Sequence, residues 1–480
     1  IAERNGSFAV IIGDANQKSG NMDVGYNYTG CTLVVDGNLN VNDTLQIRKN
    51  CVVIVTGSLT CGSLYMENGA RLYVKGNITA NNMSYNGDSN QKIYCGGNAT
   101  LPNNLDSTRE YKIGGNLDSH DLSLTYSNYY FGGAVKCTKF NAEYNDMNLV
   151  LESFECSGTT TLNNRTALNV NGSVKTDAVN MYNGSVISVC GSMSSTGEQN
   201  LFQNSKIIVN GVASLGTLKL HDESRFYALG GAQFAGDISA DNNSLVNVNN
   251  AIICNNAVWL GGTAKIYANS SFTAQRLTGS TANNIIQANG IKFTQTSNKD
   301  RQFSVHCRLE SWGDIEFNCY VCIENDCVAV AKGKVIANGI YKDNGETGLD
   351  IEGVVYSVED VITAYPLKLN SGKLYCTGDV KAATTNSGGY YEALQIKGTS
   401  ELYVTGVVTS GAGRRFKLYS DNGGQGSTVS IFGLYGTNES GYINALSSNI
   451  NEFTNEQPNS RIYLGDGTLE QTATNSYLSF

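Results

Sequence analysis

The chain has 480 residues and a formal charge of −9, with 33 Lys plus Arg against 42 Asp plus Glu. Basic residues this thinly spread form no stripe that would neutralise phosphates, which argues against a nucleic-acid partner, and no apolar run reaches the roughly 18 residues of a transmembrane helix. Charged residues are 16%, with 53 Gly and 3 Pro, a composition suited to stacked strands and tight turns rather than helices.

Residues 1–30 stand outside any obvious repeat, although 7–12 reads as a strand. They are expected to be an N-terminal cap or a donor and assembly segment, because the end of a stack of strands exposes unpaired backbone groups. The chain starts at Ile1 with no charged and apolar leader, so export with the leader already removed is expected, to the extracellular space or cell surface.

From residue 31 a pattern sets in, first seen in LVVDGNLNV at 33–41. With its glycine as anchor, the series runs Gly37, Gly57, Gly76, Gly97, Gly115, Gly133, Ser153, Gly172, Gly191, Gly211, Gly230, Asn250, Ser270 and Gly290. Thirteen steps from 37 to 290 give a mean of about 19.5 residues, in the range of solenoid repeats. Two residues before the anchor stand Val35, Val55, Val74, Cys95 and Ile113; four before stand Leu33, Val53, Leu72, Ile93 and Tyr111. Alternation of this kind marks a strand with one buried face, and its recurrence at a fixed offset means equivalent strands stack in parallel. A second apolar cluster, seven to nine residues after the anchor, includes Leu45, Leu64, Met83, Phe140, Val179 and Leu218 and supplies another side of the coil.

The expected fold is therefore all-β: a single elongated parallel β-helix, or β-solenoid, right-handed, with about 20 coils of 19–20 residues. Glycine at the anchor suits a tight bend, either for close approach of neighbouring coils or for a positive φ. The anchor glycines include Gly37, Gly57, Gly76, Gly172, Gly191, Gly211, Gly353 and Gly406. Residues 31–294 are the regular tract. In 295–446 the anchors continue through Gly313, Gly333, Gly353, Gly378, Gly406 and Gly433, with longer turns at 341–347, 382–391, 411–415 and 420–427. Residues 447–480 lose the pattern, keep candidate strands at 461–464 and 476–480, and read as a C-terminal cap or assembly segment.

Of the 13 cysteines, Cys61, Cys95, Cys137, Cys254 and Cys376 fall on inward columns and read as small core fillers. Cys31 and Cys51, then Cys307 and Cys327, each sit six residues before an anchor in adjacent coils. Stacked positions lie about 5 Å apart, within disulfide range, so these are two candidate pairs. Cys319 and Cys322 have CxxC spacing, but no second CxxC or histidine cluster accompanies them, and His120, His221 and His306 are scattered; neither a metal nor a cofactor is expected. Asp314, Glu316 and Arg308 are the one place where outward acidic and basic residues gather in neighbouring positions. A solvated turn explains them as well as a site does, and GxSxG, P-loop and HExxH motifs are absent, so no catalytic residue is assigned. The aromatics are read as mostly occupying core columns.

The motifs VTGSL at 55–59, VKGNI at 74–78, VNGSV at 170–174 and VCGSM at 189–193 resemble those of bactofilin-type polymer-forming proteins and of β-helical bacterial surface adhesins. The resemblance covers roughly residues 31–435 and implies architecture rather than particular site residues. Bactofilins imply a scaffold that polymerises end to end, yet they are much shorter and usually carry Pro-rich tails. An exported fibre subunit is therefore expected: not an enzyme, but a structural protein partnering copies of itself head to tail through its terminal segments by strand complementation. Two alternatives are an adhesin taking surface glycans or host proteins on the long turns after Gly353, and a β-helical polysaccharide lyase or hydrolase.

Overall fold

A computed structural model describes residues 4–86, 90–101, 110–125, 128–296, 303–339, 348–385, 392–410, 415–418, 427–438, 441–443, 452–455, 461–464 and 477–479. The fold is all-β, a parallel β-solenoid of about 17 turns, slightly fewer than the 20 coils expected. The chain forms two compact units, Ile1–Gly230 and Gly231–Phe480.

In the first unit, Thr32–Asp36 leads into Leu39–Ile47, a nine-residue strand whose register shifts between Val41 and Thr44, so that one strand serves two sides of the coil. The next coil repeats this with Val52–Val55 and Leu59–Glu67. Register is strict: Leu33 pairs with Val53, Val53 with Leu72, and Leu72 with Ile93. Leu33, Val35, Leu39, Leu45 and Ile47 are all fully buried, and each such side chain contributes about 1.5–3 kcal/mol relative to exposure.

The anchors stack directly. The N–H of Gly57 donates to the Gly37 carbonyl (2.8 Å), Gly76 to Gly57 (2.8 Å), Gly191 to Gly172 (2.9 Å) and Gly211 to Gly191 (2.9 Å). A Cβ on Gly191 would lie 2.6 Å from the Gly172 oxygen. Close approach, not backbone handedness, is what excludes a side chain at Gly57, Gly76, Gly191 and Gly211, none of which has a positive φ. Positive-φ residues recur in the turn before the anchor strand, as Asn164 and Arg165, Asn183 and Gly184, Gln203 and Asn204, Asp222 and Glu223, and Asn242 and Asn243. Asn and Asp tolerate this conformation better than other non-glycine residues. A hydroxyl two residues on closes the turn: Ser185 Oγ donates to Tyr182 O (2.7 Å) and Ser205 Oγ to Phe202 O (2.6 Å).

Several anchors are displaced from where the glycine pattern puts them. Glu152, not Ser153, accepts the Gly172 N–H (2.7 Å) and donates to Gly133 (3.2 Å). Leu151 and Phe154 align with Val170 and Val174, so the coil is one residue short at its corner. The same shortening makes Asn289 the anchor in place of Gly290: the Gly313 Cβ would meet the Asn289 oxygen at 2.3 Å. Gly353 is not an anchor at all. It precedes strand Val354–Ser357, donates its N–H to Ile323 O (2.9 Å), and sits at a different corner. Ile351, which made it look like an anchor, belongs to Leu349–Ile351 on another sheet. Glu359 takes the place, donating to Gly333 O (3.2 Å), and Gly378 and then Gly406 stack above it.

In the second unit Leu245–Val248 pairs with Lys265–Ala268 and that strand with Ile285–Ala288, continuing the anchor-preceding ladder. An eight-stranded third sheet includes Val321–Ile323, Leu349–Ile351 and Leu367–Asn370. The described strands beyond residue 447 join this pattern rather than departing from it: Glu452–Asn455 pairs in parallel with Arg415–Leu418, and Arg461–Leu464 with Thr428–Asn438. Of the long turns expected at 341–347, 382–391, 411–415 and 420–427, residues 341–347, 386–391, 411–414 and 420–426 lie outside the described residues, while Ala382 ends strand Val380–Ala382 and Arg415 begins strand Arg415–Leu418.

The stacking makes a prediction about two glycines that the sequence pattern treats alike. Gly191→Ala should cost about 1–3 kcal/mol through overpacking. Gly290→Ala, whose Cβ has nothing nearer than the Asp314 oxygen at 4.0 Å and whose φ is not positive, should be neutral or stabilise by up to about 1 kcal/mol. Urea unfolding midpoints of the two variants check this, and equal destabilisation would refute the assigned register.

Candidate functional site

Residues 8–24, outside the repeat by sequence, form a coil of their own with Gly13 as its anchor. Phe8–Ile12 pairs in parallel with Thr32–Asp36, Ala15–Gln17 with the start of Leu39–Ile47, and Met22–Val24 with its end. The sequence signal was Ile11-x-Gly13-x-Ala15, obscured by a step of 24 to Gly37.

The Thr32 N–H donates to Ser7 O (2.8 Å) and the Gly13 N–H to Asp36 O (2.9 Å). Because bonding alternates along a parallel strand, the N–H and C=O groups of Phe8, Val10 and Ile12 point to the other edge. No described strand lies there. Ala9 and Ile11 continue the core columns of Leu33 and Val35 yet are only half-buried, while Phe8, Val10 and Ile12 are 68%, 52% and 88% exposed. Native proteins usually blunt such an apolar edge with charge or proline. Arg461–Leu464 is likewise bonded to a described strand on one side only.

The coil walls carry a second feature, missed by assigning aromatics to the core. Three residues before the anchor, Tyr73, Tyr94, Tyr130, Tyr227, Tyr267, Tyr356, Tyr375 and Tyr403 occupy outward positions. Parallel register sets like residues one above another, and rings stack: Tyr73 on Tyr94 at 4.8 Å, Tyr356 on Tyr375 at 4.9 Å, and Tyr375 on Tyr403 at 5.3 Å between centroids. Such rings turn their faces to one another and their edges outward, with the Tyr375 hydroxyl donating to Glu401 (2.6 Å). A shallow groove of about 510 Å³ runs past Ile54, Tyr73, Tyr94, Lys112 and Tyr130. At its margin the Tyr94 hydroxyl donates to Glu110 (2.7 Å), which also pairs with Lys92 (2.7 Å) and Lys112 (3.0 Å). Burial raises the Glu110 carboxyl, but Lys92, Tyr94 and Lys112 outweigh it and bring it down to about 2. Burial and the Glu110 carboxylate push Tyr94 up to about 12.

The other sequence candidates are dispersed. Asp314 accepts the Lys334 N–H (2.7 Å), an inter-coil bond like that from Asn98 N–H to Asn77 Oδ1 (2.8 Å). Glu316 pairs with Lys292 (2.9 Å), and Arg308 with Glu310. His221 stacks on Phe202, His120 lies against Asp121, and His306 donates its backbone N–H to Ser280, so the histidines share no site. Cys31 and Cys51, like Cys307 and Cys327, occupy successive coils as buried thiols without a disulfide. Cys137 and Cys156 are also directly in register, a pairing hidden in the sequence by the shortened coil at Glu152.

Compared with protein-family models, curated proteins and solved structures, the chain matches none.

The low Glu110 pKa fixes the sign of a pH effect. Its folded value lies below the roughly 4.3 of an unfolded glutamate, so ionisation stabilises the fold above that value, and the contribution is lost as pH falls toward 2. Between about pH 4.3 and 2 the melting temperature of the native protein should fall more steeply than that of Glu110→Gln. Parallel melting curves for the two proteins over that window would show that the cluster contributes nothing.

Proposed function

We propose that the chain is a structural subunit of an extracellular or cell-surface filament that assembles head to tail through its terminal strands. The open edge Phe8–Ile12 carries this reading: unpaired backbone groups, half-buried core residues at Ala9 and Ile11, and exposed Phe8, Val10 and Ile12 on one strand. Added strands gain affinity from main-chain hydrogen bonds and specificity from alternate side chains. The occupant we assign is Arg461–Leu464 of another copy, a strand of the same anchor-preceding kind that keeps parallel direction and apolar–polar alternation. A contact between unlike surfaces propagates into a filament wherever its rotation does not close a ring.

An adhesin for surface glycans or host proteins is the second reading, favoured by a different observation. A groove of about 290 Å³ sets Trp312 and Tyr267 among the amides Asn247, Asn269 and Gln287, a mixture of ring faces and hydrogen-bonding groups suited to a neutral sugar. Lys332 already covers one Trp312 face at 3.7 Å. The polysaccharide lyase or hydrolase reading has no comparable support, since Asp314, Glu316 and Arg308 each engage a different partner.

Val10→Pro removes a donor that points to the open edge, a position where proline is tolerated. The variant should retain its strand signal in circular dichroism and remain monomeric by light scattering at concentrations where the native chain forms filaments. Filaments of unchanged length from the variant, or a native chain monomeric at every concentration, would overturn the assembly reading.

A further inference from the structure

We propose that Cys322, Asp350 and Glu352 form a binding site for a zinc-class divalent cation on the third sheet, with the Cys322 sulfur and two carboxylate oxygens as ligands. The site arises from register. Cys322 is aligned with Asp350 on the next strand, and Asp350 with Lys368 on the one after. Val321 and Ile323, like Leu349 and Ile351, flank these residues as core side chains. Alternation therefore sends Cys322 and Asp350 to the opposite face, and Glu352, two residues beyond Asp350, follows them. One donor atom from each of the three lies within 4.8 Å of the others.

Two observations point to a ligand rather than a solvated acidic patch. The first is burial: Cys322 is 0% exposed and Asp350 5%. The second is an orphaned atom. Asp350 Oδ2 holds Lys368 Nζ at 2.8 Å, but its Oδ1 is buried with no hydrogen-bond partner among the described residues. A buried carboxylate oxygen in that condition costs on the order of 1–3 kcal/mol, which coordination would recover. Glu352 is held in place but not used up: Asn370 Nδ2 donates to Oε1 (3.1 Å), and Asn325 Nδ2 reaches Oε2 at 3.5 Å.

Charge and donor chemistry select the ion. Two carboxylates and one ammonium leave a net negative charge at a group in which Cys322 and Asp350 are buried and Glu352 half-buried. A divalent ion that displaces the Cys322 thiol proton to solvent brings the group to neutrality, with no electron transferred. A thiolate beside carboxylates suits zinc and cobalt(II), whereas magnesium and calcium prefer oxygen donors throughout. Zinc–sulfur and zinc–oxygen bonds of about 2.3 and 2.1 Å require the donors to draw together by about 1 Å, within the reach of side-chain rotation. Cys319, the other member of the CxxC pair, is not in the group; parallel stacking rather than that motif brings the ligands together.

The test is a cobalt(II) chloride titration of the full chain after removal of bound metal, read by the near-ultraviolet thiolate-to-cobalt charge-transfer band and reversed with zinc chloride. The expected result is a band saturating at one ion per chain, retained in Cys319→Ser, lost in Cys322→Ser, and requiring about ten-fold more cobalt in Glu352→Gln. Asp350→Asn strips Lys368 of its partner and would confound folding with binding. Glu352→Gln keeps both neighbouring asparagines within hydrogen-bonding reach and serves instead, with circular dichroism confirming its fold. Absence of the band in the native chain, its persistence in Cys322→Ser, or an unchanged affinity in Glu352→Gln would overturn the site.

Discussion

Each coil is located by one backbone hydrogen bond, from the anchor of one coil to the anchor of the coil before it. That bond brings the two chains so close at the corner that a Cβ on the later residue would meet the earlier carbonyl, at 2.7 Å for Gly57 over Gly37 and 2.6 Å for Gly191 over Gly172. Everything else in the repeat is placed relative to this corner. Residues two and four positions before it point inward and fill the core, the strand after it begins two residues later, and the turn before it takes its left-handed residues. The polar residue after the anchor reinforces the contact: Asn98 Oδ1 accepts the Asn116 N–H and Asn116 Oδ1 the Ala134 N–H, so each coil also binds the next through a side chain.

Strict parallel register multiplies whatever a column contains. An outward tyrosine column becomes a stack of rings, and charges become a laminate such as Asp23, Arg48 and Glu67, with Arg48 bonded at 2.7 and 2.9 Å to its neighbours on either side. The same rule accounts for Cys322, Asp350 and Lys368, three unlike residues that only stacking brings together. Because the tyrosine rings present their edges, these stacks stiffen the coil wall more readily than they offer flat platforms to a sugar. Trp312, with one face free of Lys332, is the exception that favours carbohydrate.

The period, the parallel pairing and the inward columns were legible in the sequence, since they rest on side-chain polarity alone. The anchors at Glu152, Asn289 and Glu359 were not, because the anchor acts through its backbone: the coils of Glu152 and Asn289 are shortened at the corner, and the full-length coil of Glu359 places a residue other than glycine there. Gly353 misled for the complementary reason: Ile351-x-Gly353 has the right letters, but its strand lies on a different side of the coil. The outward tyrosines were recoverable from their fixed offset three residues before the anchor and were obscured by treating aromatics as core. Cys322 and Asp350 are 28 residues apart in the chain, a spacing no metal motif encodes, and the pairing depends on the length of the intervening segment.

Assembly turns on Phe8–Ile12, whose amides at Phe8, Val10 and Ile12 face an edge with no described strand. Hydrogen–deuterium exchange at these amides across a range of protein concentrations tests that assignment most directly. The account predicts rapid exchange in dilute monomer and strong protection in concentrated protein, appearing together with protection of residues 461–464. Exchange at Val10 and Ile12 that is independent of concentration while filaments form would contradict it.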